Sequence, residues 1–468
     1  MTTTGVVAGA AVRELPKRLG LFDATTIVSG SMIGSGIFIV SAEAARHVPS
    51  ALGLVLIWLL TAIVTVAGAW SYGRLAVAFP KAGGQYVYLR EAWGDLGGFL
   101  YGWAMLLVIQ TGTIAAVAVG FAKYLGVLVP AVHADPWLRI GFLRLSPVEL
   151  VGILLIALLT WWNATSVRRG VVLQNVFTVT KVLSLAGLLL ACLLFGRRIY
   201  SGEMVWGFDN TGLPLATPLF WAFAVAAVQP LFAADAWNNV TFLSEEVREP
   251  GRNVPRALLY GTGLVCTLYL FANLGFVNAL PMADIARAPQ DRVATAAVEA
   301  IAPGGPAAKL MAGIILVSTF GCLNGLILAG ARVLYAMSRD GLFIEPLARV
   351  NPRSEIPVAA LVLQGSWSAI LALSGKYGDL LEFLMIAVLG FYVLTIWGRF
   401  RLAKRLPALA AQDTADRLVP ALYVALVLYV CVGAIYVKPA YPVWSLIIVL
   451  SGIPAFHAFR RRASAARS

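Results

Sequence analysis

Three groups of residues could do chemistry in a chain that is otherwise mostly apolar. The run Gly30-Ser31-Met32-Ile33-Gly34-Ser35-Gly36 puts three glycines within seven residues, and Phe232-Ala233-Ala234-Asp235-Ala236-Trp237-Asn238-Asn239 sets a carboxylate among small and aromatic residues. Lys181 is a lone ammonium inside the apolar stretch 171–195. Clustered glycines interrupt a helix rather than extend it. Where such a helix restarts it presents free N–H groups, which favour an anion, and where it stops it presents free carbonyls, which favour a cation. A charge held within lipid is costly unless it finds partners, so Asp235 and Lys181 read as ligands of something and not as surface charges.

The elements that must position these groups follow from composition. Of 468 residues, 60% are hydrophobic and 13% charged, about half the roughly 25% charged content of a soluble domain. Apolar runs long enough to cross a bilayer recur at 22–47, 52–79, 94–129, 147–163, 171–195, 216–247, 256–280, 307–337, 357–374, 379–400, 419–437 and 440–459. The expectation is an all-α polytopic membrane protein of about twelve helices. The net charge of +13 does not indicate a nucleic-acid partner, because the basic residues are scattered over short loops and not gathered on one face. With the amino terminus inside, about two-thirds of the 36 Lys and Arg residues fall on the inner side, which predicts both termini cytoplasmic. Residues 1–21 place their basic cluster after a small-residue stretch, the reverse of a signal peptide, and read as a cytoplasmic tail; 460–468 read as another.

The glycine cluster and Asp235 fall near the middles of the first and sixth runs. Lipid cannot satisfy freed backbone groups, so breaks at that depth must be buried in protein or line a cavity. Paired breaks in corresponding positions point to a transporter with inverted repeats, spans 1–5 (22–195) and 6–10 (216–400), followed by two more spans (419–459). In that topology the outer half of the first helix begins near Gly34–Gly36 with its N–H groups turned to the bilayer centre. The outer half of the sixth ends near Phe232–Ala233 with carbonyls turned to the same point. The pair suits the carboxylate and ammonium of an α-amino acid; a small anion with a coupled cation would satisfy the same dipoles. A competing reading of Gly30 and Gly34 is close helix packing of the GxxxG kind.

Four segments carry a family resemblance: GSMIGSGIF (30–38), FPKAGGQYVYLREAWG (79–94), FAADAWNNVTFLSEEVREPGRNVPRAL (232–258) and NGLILAGARVLYAMSRDG (324–341). Together they resemble the amino acid/polyamine/organocation superfamily, and within it the L-type amino acid transporters and their bacterial relatives, over about residues 20–400. The resemblance implies a LeuT-like fold, a 5+5 inverted repeat plus two helices. It also implies that the backbone of Gly34, Ser35 and Gly36 binds a substrate carboxylate and that carbonyls of Met32, Phe232, Ala233 and Asp235 receive the ammonium. Phe232 would close over the substrate or simply pack, and Trp237 would line the side-chain pocket or pack. Asp235 would pair with a cationic substrate side chain or serve as a structural ligand of its own unwound helix. In superfamily members with a lysine at the Lys181 position, the ammonium stands where sodium-dependent relatives bind Na⁺, which implies bonds to carbonyls near Gly30 or Ser31 and a coupling role. A lysine facing a water-filled vestibule is the plainer alternative.

The function expected from this combination is sodium-independent secondary transport of L-amino acids across the inner (cytoplasmic) membrane by alternating access, as exchanger or proton-coupled carrier. A polyamine or amine carrier, or a non-transporting receptor of the same fold, remains open. An enzyme would need paired catalytic groups at a shared depth, and only Lys181 and Asp235 are deeply placed. Pro130–Ser146 lacks the cysteine by which animal members of the family hold a glycoprotein, so no disulfide-linked accessory subunit is expected. Cys192, Cys266, Cys322 and Cys431 lie inside apolar runs, and His47, His133 and His457 lie near helix ends, so neither a metal nor a cofactor is expected.

Overall fold

The computed structural model describes residues 15–140, 143–199, 201, 207, 218–304, 306–374, 377–437 and 440–465. The expected tail residues 1–14 and 466–468, and the start of the sixth run at 216–217, lie outside the described residues. The chain is helical almost throughout. The first run divides into α1 (Leu21–Met32), a non-helical turn at 33–35, one 3₁₀ turn (Gly36–Phe38) and α2 (Val40–His47). After it come α3 (Ala51–Ala78), the short α4 (Gln85–Trp93), α5 (Asp95–Leu128), α6 (Pro147–Thr165) and α7 (Val167–Phe195). The sixth run is likewise divided, into α8 (Leu219–Ala233), an irregular stretch and α9 (Asn239–Phe242). It is followed by α10 (Pro250–Ala279), α11 (Ala307–Arg339), α12 (Val358–Ala372), α13 (Tyr377–Ala403) and α14 (Ala415–Val437).

Among the described residues nine helices are long and apolar enough to cross a membrane, and Leu219–Ala233 and Val358–Ala372 are shorter apolar helices. This is a multi-pass membrane protein. The first run contributes no long helix because its glycine-rich middle breaks it into two pieces. Two details were not readable from hydropathy. A β-hairpin pairs Leu138–Ile140 with Leu143–Leu145 before α6, and a π turn over Met105–Ile109 bends α5. The fifth helix also starts at Val167, four residues before the expected 171, because Ser166 takes an extended backbone that separates it from α6.

In its most apolar stretch α5 has 78% of its residues buried and α11 67%, whereas α7 has 28% and the last span, Val443–Arg461, has 17%. The first pair is therefore interior and the second faces outward. The broken first helix is enclosed by α7, α10 and α11. One end of the bundle is tied by charge. Arg332 and Glu246 form a fully buried pair at 2.9 Å, and Arg339 meets Glu245 at 2.8 Å. Glu245 also accepts the N–H of Leu15 and of Ala82, and the Glu246 carbonyl accepts the N–H groups of Arg18 and Leu19. Residues 15–20 of the expected tail are thus docked against the end of the sixth run. The turn that leads into α4 needs glycine, since Gly83 and Gly84 have φ of 95° and 44° and a Cβ on Gly84 would lie 2.2 Å from Thr241 Oγ1.

Candidate substrate site at the paired helix breaks

The two breaks meet. A Cβ placed on Gly36 would stand 2.7 Å from the Cβ of Ala233 and 3.0 Å from its Cα, so only glycine lets the restarting first helix touch the stopping sixth. Tyr269 of α10 joins them, its hydroxyl lying 3.0 Å from Met32 O and 3.4 Å from Ala233 O, with one proton to divide between them. Sequence reasoning missed Tyr269, because a tyrosine in an apolar run reads as ordinary core.

Around the first break the backbone is used unevenly. Ile33 N–H closes α1 on Ser29 O, but the N–H groups of Gly34, Ser35 and Gly36 find no acceptor among the described residues. Ser35 and Gly36 are half-buried, whereas Gly34 is buried. The carbonyls on the other side are partly engaged: Phe232 O accepts Asp235 N–H at 3.1 Å, while Met32 O and Ala233 O share the Tyr269 hydroxyl. Three unpaired donors therefore stand where one helix restarts, beside two carbonyls whose only hydroxyl donor is shared. That arrangement can bind an anion and a cation a few atoms apart.

Lys181 is 1% exposed, so it does not face a vestibule. Its Nζ donates to the carbonyls of Gly30 and Ile33, the latter at 2.8 Å, and reaches Ser318 O at 3.4 Å. Three donors thus meet three backbone acceptors, two from the first break and one from α11. Ser318 strengthens the junction, its hydroxyl lying 3.1 Å from Ile33 O and 3.0 Å from Gly34 O. Gly30 permits this approach of α1 to α7, since a Cβ there would fall 2.1 Å from Gln174 Nε2 and 2.2 Å from Thr178 Oγ1. Gly30 is thus shaped by the packing of α1 on α7, while Gly36 is shaped by the second break.

Asp235 points elsewhere. Its Oδ1 accepts the hydroxyl of Tyr392 in α13 at 2.6 Å, and it borders a small cavity of mixed lining with Gln110, Asn238, Asn239 and Leu326. That cavity is about 30 Å³, room for one or two waters and far below a space for an amino acid. Its lining includes neither Gly34–Gly36 nor Lys181. Trp237 is buried in an aromatic cluster, edge-on to Tyr72 at 4.8 Å and tilted on Tyr392 at 5.3 Å. Phe232 is half-buried at the break.

The profile of the amino acid permease family matches residues 19–456, nearly the whole chain. The chain belongs to the amino acid permease family. Its similarity to the mouse large neutral amino acids transporter small subunit 2 is 30% identity over 452 residues, covering 94% of this chain and 81% of that protein. It is 31% identical to the human Asc-type amino acid transporter 1 over 460 residues, covering 97% and 84%. With the mouse b(0,+)-type amino acid transporter 1 it shares 27% over 453 residues, covering 95% and 88%. The resemblance read from the four segments is therefore a family membership, and the family consists of transporters and not of enzymes. Its cysteines are unpaired here, with Cys192, Cys266 and Cys322 buried and Cys431 half-buried.

Proposed function

We propose that this permease is a sodium-independent secondary transporter that carries L-amino acids across a bacterial inner membrane by alternating access. The reading rests above all on the contact between the two helix breaks, where unpaired N–H groups stand beside carbonyls with a shared donor. Gly34, Ser35 and Gly36 hold the substrate carboxylate, and carbonyls of Met32, Phe232, Ala233 and Asp235 receive its ammonium. Phe232 closes over the bound molecule and Trp237 shapes the side-chain pocket from its aromatic cluster. Lys181 takes the place of a sodium ion between α1, α7 and α11, and couples the site to the cycle either as a fixed strut in an exchanger or as a proton carrier. The organisation that goes with this is a LeuT-like one: 22–195 and 216–400 as inverted repeats of five spans, 419–459 as two further spans, with both termini cytoplasmic. All three relatives are amino acid transporters by name, and one of them is named as a subunit. This chain acts without a disulfide-linked partner, consistent with the lack of cysteine in 130–146.

The test is uptake of labelled L-amino acids into proteoliposomes, with and without amino acid inside. Uptake that needs internal amino acid identifies an exchanger, and uptake driven by an imposed pH gradient identifies a proton-coupled carrier. Transport of polyamines but not of amino acids, or binding without transport, would replace the reading by an amine carrier or a receptor.

A further inference from the structure

At one end of α6 and α7 a groove of about 400 Å³ opens on the outside of the bundle. Its walls are apolar, formed by Trp162, Leu173 and the outward-facing Val172 and Val176, which are 52% and 57% exposed. At its mouth stand Arg168 and Arg169, both exposed, and neither has a carboxylate within salt-bridge distance among the described residues. Trp161 projects beside them, its ring 6.3 Å from that of Trp162, whose indole N–H reaches Arg169 O at 3.4 Å. Below the arginines the exposed stripe runs on down α7 through Val179, Leu183, Leu190 and Leu194, the face of a helix that buries little of itself in protein.

From this juxtaposition we infer that the groove is a binding site for one anionic glycerophospholipid, with the phosphate on Arg168 and Arg169 and an acyl chain along the Val172–Val176 wall. Charge and polarity select this occupant. Two cations without acidic partners, placed where a long apolar wall begins, complement a molecule that is anionic at one end and hydrocarbon at the other. Paired tryptophans mark the level of the headgroups, where an amphipathic ring has one side in hydrocarbon and one in water. A zwitterionic lipid would bring an ammonium against the two arginines, and a free phosphate would leave the apolar wall uncovered. The site lies outside the substrate region and holds whether or not the chain transports amino acids.

The experiment is native mass spectrometry of the delipidated full chain titrated with phosphatidylglycerol, phosphatidylcholine or inorganic phosphate. The expected result is a first phosphatidylglycerol bound roughly tenfold more tightly than phosphatidylcholine, with that preference lost in Arg168→Gln/Arg169→Gln. Val172→Trp, which fills the groove and keeps both charges, should weaken the same first binding event. Equal binding of the two lipids, an unchanged preference in the arginine variant, or full competition by inorganic phosphate would each overturn the proposal.

Discussion

At the scale of single residues, the chemistry turns on Lys181, Gly36 and Asp235. Removing the Lys181 ammonium leaves the carbonyls of Gly30 and Ile33 without their donor, though the Ser318 hydroxyl still reaches Ile33 and Gly34. Lys181→Ala is therefore expected to fold and insert but to slow uptake by at least roughly tenfold, the worth of one charged hydrogen bond; uptake at the parent rate with normal expression would refute the coupling role. For Gly36→Ala the added methyl meets Ala233 at 2.7 Å and pushes the breaks apart, so substrate affinity should fall by about tenfold or more in a binding assay. The Asp235 carboxylate is bound by Tyr392, which favours a structural role. Asp235→Asn should then weaken neutral and cationic amino acids alike, measured as competition against a labelled substrate; loss of arginine and lysine alone would show charge selection instead. Lys181, the glycine cluster and Asp235 were legible because each is expensive in an apolar run. Tyr269, Tyr392 and Ser318 were not, since their hydroxyls matter only through partners far away in sequence.

At the scale of elements, broken helices could be found in the sequence because glycine frequency and an intramembrane acid both disfavour a continuous helix. The hairpin at 138–145 and the π turn in α5 left no such mark: the hairpin is three residues a strand, and the π turn, Met105–Ile109, is as apolar as its neighbours. The sequence also read its charged ends only as orientation signals, whereas Arg332 and Glu246 form a pair with no solvent contact. A pair this deep is costly to break and cheap to replace, because one partner alone leaves an uncompensated charge. Glu246→Gln should lower the unfolding free energy by about 3–5 kcal/mol, read as a fall in midpoint temperature of the detergent-solubilised protein. An Arg332→Met/Glu246→Leu double variant should recover most of that loss. If the double variant is no more stable than the single one, the pair does more than balance charge, and the bond from Arg332 to Leu328 O at 2.7 Å is part of what is lost.

At the scale of the whole molecule, composition places the chain in a membrane, and the paired breaks point to a transporter. Among the described residues nine helices are long and apolar enough to cross in one piece, while the first and sixth runs stop and restart where the glycine cluster and Asp235 mark them. The proposed sodium independence would be a property of the whole cycle. Replacing Na⁺ by choline should leave the uptake rate unchanged, because Lys181 already fills the carbonyl set between α1, α7 and α11. An absolute sodium requirement would remove Lys181 from that role. The central claim is that the free N–H groups of Gly34–Gly36 recognise a carboxylate next to an ammonium. It is tested most directly by comparing, in one proteoliposome uptake assay, inhibition by an L-amino acid and by the amine formed when its carboxylate is removed. The expected result is an amine at least about 100-fold weaker, the loss of two charge-assisted hydrogen bonds; an amine that inhibits as well as its parent acid would contradict the account.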